Sequence, residues 1–183
     1  MKSLGVYLHI PFCIRKCNYC DFCSFPDRSG EKMSAYTKEL VSRMKAFAAE
    51  HPDYRVDTVY FGGGTPTLLP IECFSEIMSA LYECFEVEDG AEISVECNPA
   101  TIDKNGLEAL RALSINRLSI GLQSANENEL KALGRLHSFE DFCRCYSDAR
   151  AAGFDNISID LMYGIPEQTV ESFEHTLRRA VEL

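Results

Sequence analysis

Val6-Tyr7-Leu8-His9-Ile10-Pro11-Phe12-Cys13-Ile14-Arg15-Lys16-Cys17-Asn18-Tyr19-Cys20 is the stretch from which the rest of the chain is read. It begins as a short apolar run, Val6 to Ile10, that reads as a buried strand ended by Pro11. It continues into a loop whose cysteines are spaced C-x3-C-x2-C. Three thiolates on one short loop can hold three irons of a four-iron cluster and leave the fourth iron open to a small molecule. A zinc knuckle is the competing reading, but a structural zinc site wants four closed ligands, and no fourth ligand stands out.

Working outward, helical and strand patterns alternate. Met33, Tyr36, Leu40, Met44 and Phe47 recur at helical spacing and stop before Pro52. Val56–Phe61 is a second strand and runs straight into Gly62-Gly63-Gly64-Thr65-Pro66-Thr67. A helix with Pro70 near its start follows, then a third strand over Ala91–Glu96. Thr101 is the expected N-cap of the helix carrying Leu107, Leu110 and Leu113. Arg117–Gly121 is a fourth strand closing on Gln123, and a short helix spans Glu127 to Leu133. After the turn Gly134-Arg135-Leu136-His137, Ser138 caps a helix that Gly153 ends. Asn156–Leu161 is a fifth strand, and a last helix starts near Thr169.

Five alternations imply parallel strands joined by crossover helices. No G-x-G-x-x-G opens a helix after the first strand, so a dinucleotide fold is unsupported. A barrel is favoured by where the polar residues fall. The cysteine loop, the glycine run, Glu96, Gln123 and Asp160 all lie at or just beyond strand C-terminal ends, the face on which such barrels build their sites. Glycines there let backbone reach a ligand. Carboxylates at Glu96 and Asp160 can accept hydrogen bonds from a ribose or an ammonium.

The chain has 183 residues and a net charge of −10. That suits one domain and argues against a nucleic-acid binder, which needs a basic face. No stretch is apolar enough to span a membrane. The N-terminus lacks signal-peptide organisation, which points to the cytoplasm. Nine cysteines, odd in number and clustered at one end, do not read as a disulfide framework. Cys73, Cys84, Cys97, Cys143 and Cys145 read as small buried hydrophobes.

The segment Tyr7-x-His9-Ile10-Pro11-Phe12-Cys13-x3-Cys17-x-Tyr19-Cys20 resembles the cluster signature of the radical SAM superfamily, in the branch of oxygen-independent coproporphyrinogen III oxidase and the HemW-type heme chaperone. The resemblance implies a partial parallel (βα) barrel, a [4Fe-4S] cluster on Cys13, Cys17 and Cys20, and S-adenosylmethionine bound at the open iron. Reductive cleavage of that ligand supplies a 5′-deoxyadenosyl radical. The resemblance further implies that Tyr7, Gly63, Gly64, Thr65, Glu96, Gln123, Arg135 and Asp160 contact S-adenosylmethionine, and that His9 supports the loop. The true oxidase carries a fourth cysteine two residues after the third. Here that position is Phe22, as in the chaperone branch, and Cys23 falls one place too late. A heme chaperone is therefore the leading expectation and the oxidase the alternative. Heme or a porphyrinogen, an electron donor and a heme-acceptor protein are the implied partners. A core of this kind has six βα units, so the expectation for residues 1–183 is a core truncated after the fifth, without its sixth unit or C-terminal domain and with an apolar edge exposed.

Overall fold

The structure, a computed structural model, describes residues 2–183. Five strands, β1 (Lys2–Ile10), β4 (Tyr54–Gly63), β5 (Glu86–Cys97), β6 (Arg117–Gln123) and β7 (Asn156–Leu161), form one sheet in that order, every pair parallel. Each crossover steps one strand in the same direction. That is the winding of an open barrel, whereas a doubly wound sheet reverses its order at a switch point. The crossovers carry α1 (Gly30–Glu50), α2 (Ile71–Cys84), α3 (Lys104–Ala112), α4 (Glu127–Ala132) and α5 (Phe139–Ala151), and α6 (Val170–Val181) follows the last strand. Two further strands, β2 (Phe12–Cys13) and β3 (Phe25–Pro26), are two residues each and pair in parallel across the cysteine loop.

Strand sequences explain which face does what. Val59, Phe61, Ile93, Val95, Leu118 and Ile120 alternate with polar neighbours and are buried in one cluster with the helices. Each such side chain contributes about 1.5–3 kcal/mol relative to exposure. The intervening residues, Tyr60, Ser94, Glu96, Arg117, Ser119 and Asp160, share the opposite face, because successive side chains on a strand point to opposite sides. Register puts them in rows: Tyr60 beside Ser94, Ser94 beside Arg117, Glu96 beside Ser119. Arg117 donates to Ser94 Oγ at 3.1 Å and Ser158 Oγ at 2.7 Å, so the inner face is a bonded polar surface.

Some local expectations are corrected. The third strand is longer than Ala91–Glu96. Glu86 and Val87 also pair with β4, and a register shift near Asp57 lets Glu92–Val95 pair further along. The polar run Glu86-Val-Glu-Asp-Gly90 hides this extension, because alternation there is obscured by charge. Thr101 does not cap α3. Asp103 does, its carboxylate accepting from Gly106 N at 2.9 Å, while Thr101 bonds Thr67 Oγ1 at 2.6 Å. Ser138 and Thr169 both form capping boxes, the former on α5 and the latter on α6. α6 buries Thr176, whose hydroxyl accepts from Ala125 N at 3.1 Å. The buried Glu129 reinforces this junction. Burial alone would raise its carboxyl, but Ser124, Ser172 and Gln168 all donate to it and hold it below its ordinary value.

Candidate functional site

The cysteine loop is held at both ends. Phe25 N donates to Pro11 O at 2.9 Å and Asp27 N to Cys13 O at 3.0 Å. His9 Nε2 lies 2.8 Å from Cys23 O. A carbonyl only accepts, so Nε2 carries the proton and Nδ1 accepts from Tyr7 OH at 3.0 Å. His9 is thus a strut between β1 and the far end of the loop. Mid-loop, Asn18 docks on the end of α4, its N bonding Leu133 O at 2.9 Å and its Nδ2 bonding Ala132 O at 2.8 Å.

Cys13, Cys17 and Cys20 all line a cleft of about 490 Å³ at the C-terminal ends of the strands. Gly63, Gly64, Thr65, Glu96, Gln123, Arg135 and Asp160 line the same cleft. Tyr7 does not. It is 57% exposed on the edge strand, where its ring stacks on Tyr60 at 6.2 Å. Cys23 is exposed and also lies outside the lining. Phe22, 63% exposed, stands on the rim.

The glycine run is bent around the β1 end. Gly63 has φ +114°, and a Cβ there would sit 2.6 Å from His9 Cε1. Gly64 N donates to Ile10 O at 2.7 Å, Thr65 N to Phe12 O at 2.8 Å and Gly63 N to Glu96 Oε2 at 3.1 Å. These N–H groups are already used. The glycines therefore offer a ligand carbonyl oxygens, which suits an ammonium. Thr65 Oγ1 lies 3.6 Å from Cys13 Sγ.

Glu96 accepts on both oxygens, from Gly63 N and from Tyr60 OH at 3.0 Å. Burial raises its carboxyl above the ordinary value, and these two donors oppose the rise. Burial, then the Glu96 charge, pushes the Tyr60 hydroxyl up, so it stays protonated and donates. Ser119 Oγ sits 3.0 Å from each Asp160 oxygen and orients that carboxylate. Tyr60, Ser119 and Asn18 are site residues that the strand-end reading misses. The alternation along β4 and β6 is the signal that finds the first two. Replacing Tyr60 by Phe removes one donor to a charged group. The expected result is a Glu96 titration moved to higher pH, read by carboxyl 13C NMR, with a stability loss of about 1 kcal/mol.

Gln123 closes β6 with φ +69°, a left-handed backbone rare for a non-glycine residue. Beneath it His137 is buried, its Nε2 donating to Leu122 O at 3.2 Å, with its Nδ1 unpartnered among the described residues. Burial, then the Arg135 charge, pushes the imidazole down from 6.5 to about 4. A neutral buried His contributes stability above its unfolded value and loses it as pH falls through the folded one. Denaturant unfolding of the cluster-free protein should therefore lose about 3 kcal/mol between pH 6.5 and pH 4. His137→Gln should flatten that loss.

The donor set suits a site-differentiated cluster. A four-iron cluster places each thiolate on a different iron, and Cys13, Cys17 and Cys20 supply three thiols to one cleft.

The Radical SAM superfamily model matches residues 7–180. The chain is 39% identical over 183 residues to oxygen-independent coproporphyrinogen III oxidase of Bradyrhizobium diazoefficiens, covering 99% of this chain and 40% of that protein. It is 33% identical over 187 residues to the heme chaperone HemW of Haemophilus influenzae, covering all of this chain and 49% of that one. The solved structure of coproporphyrinogen III oxidase (HemN) from Escherichia coli, a radical SAM enzyme, superposes with a TM-score of 0.92 at 36% identity, over 97% of this chain and 41% of that one. The chain thus spans two-fifths to one-half of the length of these relatives. With the motif, the sheet winding and the cleft in agreement, the chain belongs to the radical SAM superfamily.

Proposed function

We propose that this chain is the radical SAM core of a HemW-type heme chaperone, working in the cytoplasm and passing heme to an acceptor protein. Family membership implies a [4Fe-4S] cluster and S-adenosylmethionine. In this reading Cys13, Cys17 and Cys20 hold the cluster. Gly63, Gly64, Thr65, Glu96, Gln123, Arg135 and Asp160 bind S-adenosylmethionine, together with Tyr7, whose ring stacks on Tyr60 beside the cleft. An external electron donor reduces the cluster. The observation that carries the chaperone assignment is Phe22. An apolar, exposed side chain stands on the cleft rim where the oxidase branch has a further cysteine.

A second reading, oxidative decarboxylation of coproporphyrinogen III, is favoured by the higher identity to the oxidase than to the chaperone. One pair of assays on the full-length protein separates them. Stable heme binding, seen as a Soret band that transfers to an apo-acceptor, without turnover supports the chaperone. Anaerobic conversion of coproporphyrinogen III to protoporphyrinogen IX overturns it.

A further inference from the structure

The turn after α4 does more than connect helices. Gly134, with φ +74°, presents its bare Cα to Asn18, where a Cβ would lie 3.1 Å from Asn18 Oδ1. The two Asn18 bonds to Ala132 O and Leu133 O therefore clamp the middle of the cysteine loop against this turn. The next residue in sequence is Arg135. Its Nη2 is fixed by Gly121 O at 2.9 Å, and its Nη1 lies 3.9 Å from Cys17 Sγ. Gly121 keeps this space open, since a Cβ there would stand 3.1 Å from Arg135 Nη2. Two glycines and an asparagine thus bring one guanidinium, always charged, against one of the three thiols.

We infer that Arg135 is a positioning residue that sets the reduction potential of the cluster through Cys17. Adding an electron to a thiolate-bound cluster adds negative charge. A fixed cation beside a ligating sulfur stabilises the reduced form over the oxidised one, and charge and donors at the sulfurs are established levers on cluster potential. Arg15 also lines the cleft, but the guanidinium placed within bonding distance of a cluster thiol is that of Arg135; Arg117, on the inner face of the sheet, is bonded to Ser94 and Ser158 instead. The inference rests on the radical SAM reading, and concerns a property measured without S-adenosylmethionine, so it is separate from any contact of Arg135 with that ligand.

The test is an EPR-monitored redox titration of the anaerobically reconstituted protein, wild type against Arg135→Gln and Arg135→Lys, without S-adenosylmethionine. At the potential where the wild type is half reduced, the reduced-to-oxidised ratio in Arg135→Gln should fall about tenfold, a shift of about 59 mV to lower potential for one electron. Arg135→Lys, which keeps the charge on a different frame, should fall between. Equal midpoints in wild type and Arg135→Gln at full iron content overturn the inference. Loss of the cluster from both variants also overturns it and makes Arg135 a structural residue. A wild type that assembles no [4Fe-4S] cluster sinks the radical SAM reading itself, a distinct failure.

Discussion

Cys20→Ser should leave the anaerobically reconstituted protein with iron near background and no EPR signal on reduction, whereas Cys23→Ser should assemble the cluster like the wild type. The two cysteines are three residues apart and share the same loop. Cys20 lines the cleft and Cys23 does not. A serine hydroxyl stays protonated at neutral pH and is a hard oxygen donor, while iron–sulfur clusters are held by soft thiolates. Cys20 is only half-buried, so its replacement leaves the core unchanged. The loss would then be one of ligation, and an unchanged circular dichroism spectrum checks that.

Gly63→Ala should cost about 4 kcal/mol of stability, measured by denaturant unfolding of the cluster-free protein, from a left-handed backbone and a steric clash acting together. At φ +114° an L-residue is strained before any contact is counted, and the new Cβ would sit 2.6 Å from His9 Cε1. His9 cannot simply swing away. Its Nε2 holds Cys23 O and its Nδ1 meets Tyr7 OH. The damage should therefore reach the cysteine loop, and reconstituted Gly63→Ala should lose iron faster than wild type to a chelator. Gly30→Ala, where a Cβ meets nothing within 4 Å, is the control and should change neither.

The strands were legible because each ends in a chemical event. β1 ends where Ile10 meets Pro11, β4 runs two residues past Phe61 into the glycines, and β7 spans the expected Asn156–Leu161. What escaped was set by tertiary geometry. β2 and β3 are too short to show periodicity, and they exist because the loop's two ends are brought side by side. Thr101 looked like a cap because it precedes a helical pattern, but Asp103 is nearer to the helix and its carboxylate reaches Gly106 N. Most of the residues expected at the site line one cleft because they occupy strand C-terminal ends. Tyr7 is the exception, being mid-strand on an open edge with its side chain turned toward His9 and Tyr60. Tyr60 and Ser119 lie inside strands, not at the strand ends from which the site residues are read. Alternation along β4 and β6 marks them, and register then sets Tyr60 and Ser119 on the face that carries Glu96 and Asp160.

In the proposed reading, Cys13, Cys17 and Cys20 hold a cluster whose open iron faces a pocket for S-adenosylmethionine. The most direct measurement is electron–nuclear double resonance on the reduced, reconstituted protein with S-adenosylmethionine carrying 15N in its amino group and 17O in its carboxylate. Hyperfine coupling from both labels to the cluster spin is expected, lost in Cys20→Ser. A reduced [4Fe-4S] signal with no coupling from either label, or a protein that takes up zinc and forms no cluster, would contradict it.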